Sequence, residues 1–133
     1  MQADRRSGIA QTAPLQVLYD GGCPLCRREI GLYRRSRPRR PIDWIDIDAD
    51  RQAPERFGLS REAAMARFHV IDGDEIRTGA AAFVRLWTAL PGWRHLARTV
   101  RLTGVEPLME RGYVWFARKR LAERCADGAC RVR

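Results

Sequence analysis

Cys23 and Cys26 stand with two residues between them in "YDGGCPLC", after a short apolar run and before a basic, helix-like run. A thiol at the start of a helix faces unpaired backbone N–H groups and the positive end of the helix dipole. Both favour the thiolate, the species that attacks disulfides. Pro24 suits the first helical position, so Cys23 falls at the N-cap and Cys26 one turn inside. That spacing allows a small disulfide ring. The chemistry to expect is dithiol–disulfide exchange. Cys23 attacks a substrate disulfide, and Cys26 then attacks Cys23 to release the reduced product. Run backward, the pair oxidises dithiols. Metal binding and a purely structural pair are the alternatives, since a bare CxxC is shared by all three.

Asp20 lies three residues before Cys23. Its carboxylate could accept or relay a proton during exchange. It could equally organise the turn by accepting nearby backbone N–H groups, and chemistry alone leans to this role. Its negative charge works against the thiolate that the helix favours.

Elements on either side must position these residues. Leu15–Tyr19 reads as a buried strand, and Asp20-Gly21-Gly22 as a turn. The helix from Pro24 offers Leu25, Ile30, Leu32 and Tyr33 for packing and leaves Arg27, Arg28, Arg34 and Arg35 to water, and "SRPRRP" ends it. Ile42–Ile47 is a second strand. Pro54–Phe57 allows a short helix, and Ser60 caps another over "REAAMA". Phe68–Ile71 and "EIRTG" form a hairpin about "DGDE". Gly79 starts a helix with Phe83, Leu86, Trp87 and Leu90 on one face. "WRHLARTVRL" and "EPLMERGYVWFARKRLAER" are helical, and Tyr113, Trp115 and Phe116 read as packing residues. The order predicts a small mixed sheet flanked by helices, an α/β thioredoxin-like arrangement with additional C-terminal helices. The first crossover is expected to be parallel and right-handed. Residues 1–14 read as a loose leader, 15–124 as the domain with its helical extension, and 125–133 as a basic, cysteine-containing tail.

The residues around the motif are also familiar as a set. "YDGGCPLC" resembles the signature of the DCC family of thiol-disulfide oxidoreductases, named for an Asp-x-x-Cys-x-x-Cys motif that falls here on Asp20, Cys23 and Cys26. "RFHVIDGDEIRTGAAAFVRLWTALPGW" is similar to that family's middle, and "YVWFARKR" to its C-terminal Tyr/Arg helix. The resemblance spans roughly residues 15–130 and implies the fold and reaction class, not a substrate. One departure stands out. Thioredoxins place a cis-proline before the third strand, where it helps bind substrate and keeps metal from the CxxC. The matching stretch here, "AMARF", has no proline. That weakens a general protein-disulfide reductase reading and keeps metal open.

Cys125 and Cys130 form a second pair with four residues between them. They could pass electrons to or from Cys23/Cys26, could join them in a zinc site, or could be incidental. His69 reads as a structural strand residue, and His95 as exposed or packing.

The formal net charge is +9, almost all of it arginine, with Lys119 the sole lysine. No nucleic-acid-reading signature accompanies the arginines, which argues against nucleic acid as the main partner. A basic docking surface for a partner or an anionic membrane is the non-enzymatic alternative. No apolar run reaches the length of a membrane helix, and the N-terminus lacks a secretory apolar stretch. The expectation is a soluble, cytoplasmic protein that needs no organic cofactor, because its cysteines carry the electrons. Its partner is a protein or small-molecule disulfide or dithiol. The electron donor is not legible.

Overall fold

The computed structural model describes residues 13–126. Strand β1 (Leu15–Tyr19) is followed by α1 (Pro24–Arg35), β2 (Ile42–Asp46), a 3-10 turn (Ala53–Phe57), α2 (Arg61–Ala66), β3 (His69–Asp72), β4 (Glu75–Thr78), α3 (Gly79–Thr88), α4 (Trp93–Thr103) and α5 (Glu106–Ala126). The four strands form one sheet in the order β2-β1-β3-β4. β1 pairs parallel with β2, Leu15 opposite Ile42 through Tyr19 opposite Asp46. It pairs antiparallel with β3, Leu18 opposite His69, and β3 pairs antiparallel with β4. This mixed sheet with helices on its faces is the thioredoxin-like α/β arrangement expected from the sequence.

β1 is apolar on both sides because it is an interior strand covered on both faces. Leu15 and Val17 join Ile30, Tyr33, Val70, Leu86, Trp87 and Leu90 in one core cluster. Leu18 turns the other way and packs with Ile47, Ala64, Met65 and Ile71. Helix α5 serves both clusters. Met109 and Tyr113 pack on the first and Leu121 on the second. Its far end is thereby carried past the ends of β1 and β2.

Two packing expectations are corrected. Leu25 and Leu32 are half-exposed, while Ile30 and Tyr33 are buried. Cys26, Glu29, Ile30 and Tyr33 recur at helical spacing and form the inward stripe of α1, and Leu25 and Leu32 lie off it. Trp115 is 69% exposed, with the Lys119 Nζ lying 5.9 Å from its ring centroid. The aromatic of this run that packs most closely is Tyr113, whose ring meets Phe83 edge-on at 5.6 Å. Residues 1–12 and 127–133, which hold most of the expected leader and most of the tail, lie outside the described residues. α5 itself continues through Cys125 to Ala126.

Candidate functional site

Parallel pairing sets the C-terminal ends of β1 and β2 side by side, which is where α/β sheets gather their sites. The turn after β1 carries Asp20 to Cys23, and β2 ends on Asp46 with Asp48 in the turn that follows. Asp46 Oδ1 accepts the N–H of Gly21 at 2.9 Å and of Asp48 at 2.9 Å. A Cβ on Gly21 would collide with that carboxylate, and one on Gly22 with the Arg124 guanidinium. At both positions a Cβ would force the neighbouring side chain to shift, and at Gly21 that side chain is held by its own backbone hydrogen bonds.

Cys23 is the N-cap of α1, and its Sγ accepts the N–H of Cys26 at 3.4 Å. Both thiols are free. Cys23 is 6% exposed, and Cys26 is partly buried. Burial pushes the Cys26 thiol up to about 12. Its hydrogen bond to Cys23 adds to the rise, and the Arg120 guanidinium pulls the other way. Burial thus favours the neutral thiol at Cys26.

Asp20 is 2% exposed. Its Oδ1 accepts the Gly22 N–H at 3.0 Å, which is the turn-organising bond expected of it. The carboxylate does more than that. Arg124 Nε donates to Oδ2 at 2.9 Å and Arg124 Nη2 to Oδ1 at 3.3 Å. Arg124 also donates to Asp48 Oδ1 at 2.7 Å. Arg120 Nη1 lies 3.5 Å from Asp20 Oδ2 and 3.9 Å from Cys26 Sγ. Its Nη2 donates to the Met65 carbonyl at 2.8 Å. Asp20, Cys26, Glu29, Arg67, Tyr113 and Arg120 all border one cavity of about 30 Å³, room for about one water. Burial raises the Glu29 carboxyl above its ordinary value, opposed by the Tyr33 hydroxyl, which donates to it at 2.6 Å.

A buried CxxC at a helix N-terminus, backed by an acid and two arginines, is equipped for sulfur chemistry. A family model of DCC1-like thiol-disulfide oxidoreductases matches residues 17–125. The chain belongs to this family. An uncharacterized, chloroplastic protein of Arabidopsis thaliana is 36% identical over 94 residues, covering 68% of this chain and 44% of that protein. The chain therefore spans less than half the length of that relative. No solved structure matches it.

Within this DCC1-like domain, Asp20, Cys23 and Cys26 fall together as the motif suggested. Cys125 sits in the last turn of α5, one residue after Arg124. Cys130 lies outside the described residues. The zinc alternative called on Cys23, Cys26, Cys125 and Cys130; among the described residues no three His, Cys, Asp or Glu side chains converge as a metal site. His69 is buried, with Nδ1 2.8 Å from the Arg67 carbonyl oxygen. Desolvation lowers its pKa. His95 is exposed. Among the described residues no helix is long and apolar enough to cross a membrane.

Asp46, Asp48, Arg120 and Arg124 are not singled out by the residues alone, and Tyr113 reads there only as a packing residue. The one signal is the family-like stretch "YVWFARKR", which contains Tyr113 and Arg120 and gives Arg120 no role. Tyr113 receives the Phe68 N–H on its hydroxyl, tying α5 to the start of β3.

Proposed function

We propose that this chain catalyses dithiol–disulfide exchange, with Cys23 as the attacking thiolate and Cys26 as the resolving thiol. The observation that carries the reading is the place of the pair on α1. Cys23 caps the helix N-terminus and its Sγ accepts the Cys26 N–H, while Cys26 lies one turn inside, where burial raises its thiol. These features favour Cys23 as the nucleophile and Cys26 as the reserve.

In the first step the Cys23 electron pair forms a bond to one substrate sulfur, and the other substrate sulfur leaves with the electrons of the broken bond. In the second, Cys26 attacks Cys23 and displaces the remaining substrate thiol. The enzyme ends as a disulfide and the substrate as two thiols. Asp20 holds the turn and tunes the pair. The cysteines carry the electrons, so no organic cofactor is called for, and an external dithiol restores the enzyme. At 6% exposure Cys23 suits a slender partner, either a small-molecule disulfide or a protein disulfide on a projecting loop. The reading places the chain in a reducing compartment such as the cytoplasm, where a close cysteine pair is more often catalytic than structural.

The test is single-turnover reduction of an aromatic disulfide by the chain, reduced beforehand and freed of other thiols, with zinc content measured on the same sample. Wild type should release two substrate thiols per chain, Cys23→Ser should release none at a comparable rate, and Cys26→Ser should release one and stop as a mixed disulfide at Cys23. Release by Cys23→Ser as fast and as full as by wild type would overturn the reading. So would stoichiometric zinc whose removal unfolds the chain.

A further inference from the structure

Cys26 must become a thiolate before it can resolve the mixed disulfide, yet it is partly buried and feels the carboxylate of Asp20. Something must offset both penalties. We propose that Arg120 is a catalytic residue of the exchange: its guanidinium stabilises the Cys26 thiolate as that thiolate forms, and Asp20 sets how much of the charge Cys26 receives. The proposal rests on the exchange reading and extends it to the C-terminal helix.

Five observations support it. Arg120 Nη1 lies 3.9 Å from Cys26 Sγ, within reach of a sulfur acceptor. The same nitrogen is 3.5 Å from Asp20 Oδ2, looser than a good ionic hydrogen bond, so Asp20 does not consume it. Asp20 is engaged at 2.9 Å by Arg124 instead. The other arm of Arg120 is tied to the Met65 carbonyl at 2.8 Å, which prevents the fork from swinging away. Finally, Arg120 is 8% exposed, so water screens its charge little.

The resolving step then balances. Cys26 loses its proton to water. Its electron pair forms the Cys23–Cys26 bond as the bond from Cys23 to the substrate sulfur breaks. The departing substrate thiolate takes up a proton from water. The substrate disulfide is the oxidant and the enzyme dithiol the reductant. Arg120 neither gains nor loses a proton; it sits beside negative charge that exists only after Cys26 ionises.

The experiment reads Cys26 ionisation directly. In a Cys23→Ser background, iodoacetamide modification of Cys26 is followed by peptide mass at pH 9. Arg120→Gln should slow it about tenfold or more, the effect of removing one cation at this range. Arg120→Lys, which keeps the charge, should stay within about threefold. Asp20→Asn, nearly isosteric, should speed it several-fold. Gln and Lys are no bulkier than Arg and would open the cavity, so slowing cannot come from lost access. An Arg120→Gln rate equal to or above that of the parent in a folded chain overturns the proposal. If Arg120→Gln does not fold, Asp20→Asn decides, and an unchanged or slower rate overturns it.

In the otherwise wild-type chain, Arg120→Gln should release the first substrate thiol and then accumulate the mixed disulfide, which a merely structural defect would not single out. Resolution as fast as in wild type overturns the catalytic role. Absence of any exchange by wild type, with the alkylation pattern intact, instead removes the exchange reading and with it the resolving step.

Discussion

Asp20 should be a principal support of the fold as well as part of the site. Its carboxylate is 2% exposed and accepts from Gly22 at 3.0 Å and from Arg124 at 2.9 and 3.3 Å. Truncation in Asp20→Ala removes all three bonds and leaves Arg120, itself 8% exposed, without its carboxylate neighbour. Breaking a buried pair from one side costs about 3–5 kcal/mol, because the surviving charge stays buried and uncompensated. Arg124→Ala should cost less, about 1.5–3 kcal/mol, since Asp20 retains Gly22 and Arg120. A cycle of Asp20→Asn and Arg124→Gln should then give a coupling of about 1–3 kcal/mol. Against a typical total of about 5–15 kcal/mol, the Asp20→Ala loss is a large share.

Urea unfolding followed by far-UV circular dichroism measures it. The midpoint should fall with an unchanged slope, since the surface exposed on unfolding is the same. Thermal melting should drop by about 12–20 °C at ~4 °C per kcal/mol for a chain of this size. An Asp20→Ala loss under about 1 kcal/mol, or a coupling near zero, would refute the view of the cluster as a closed and mutually dependent set.

Three further outcomes follow from the same geometry. Gly21→Ala should cost about 1–3 kcal/mol, as its Cβ is driven into the Asp46 carboxylate; Asp46→Ala in the same chain should relieve part of that penalty in urea unfolding, and a purely additive double variant would argue against the contact. His69 is buried and its pKa is lowered by desolvation, so its contribution should be intact above about pH 6.5 and be lost as pH falls through the folded-state pKa, by up to about 1.4 kcal/mol per unit. His69→Gln should flatten that limb when stability is compared at pH 5 and 7.5, and an unchanged limb would rule His69 out as its source. On α5, Tyr113→Phe strips the acceptor from the Phe68 N–H and should cost about 1–3 kcal/mol, whereas Trp115→Ala, two residues on and exposed, should stay within about 0.5 kcal/mol; the reverse order would mean that the outward and inward faces of α5 are exchanged.

What could be read in advance follows from how local each cause is. β1 announces itself by five residues of apolar, partly β-branched chain, and α1 by a proline after the N-cap and an abrupt stop at "SRPRRP". Cys23 at the N-cap needs nothing beyond that local context. The packing faces were harder. Leu25 and Leu32 look like core residues by type, and only the stripe through Cys26, Ile30 and Tyr33 decides otherwise. In α5 the buried positions include Ala117 and Arg120, so a reading by side-chain size chose Trp115 and missed Arg120. Arg120 and Arg124 are two arginines among many, and nothing in their neighbours separates them from solvated ones. Their partners lie 55 to 104 residues away, so their role comes into being only when the chain closes.

That closure has a consequence for the chemistry. Asp20 and Asp48 supply two negative charges and Arg120 and Arg124 two positive ones, joined by contacts from 2.7 to 3.5 Å. With Cys26 as a thiol these four charges offset one another, and the buried Arg61 adds a further cation that interacts with Asp48 and Asp20. When Cys26 ionises, a third negative charge enters a buried space whose cations are already shared. In the proposed exchange, the cost of that charge keeps Cys26 in reserve until Cys23 has been consumed in a mixed disulfide and no longer competes for the helix N-terminus, and the role proposed for Arg120 is to limit that cost without abolishing it. A fully exposed arginine would be screened too strongly to help, and one bound to Cys26 alone would make both sulfurs nucleophiles at once. Sharing Arg120 with Asp20 gives the intermediate setting, in which the two cysteines of one short motif act in sequence.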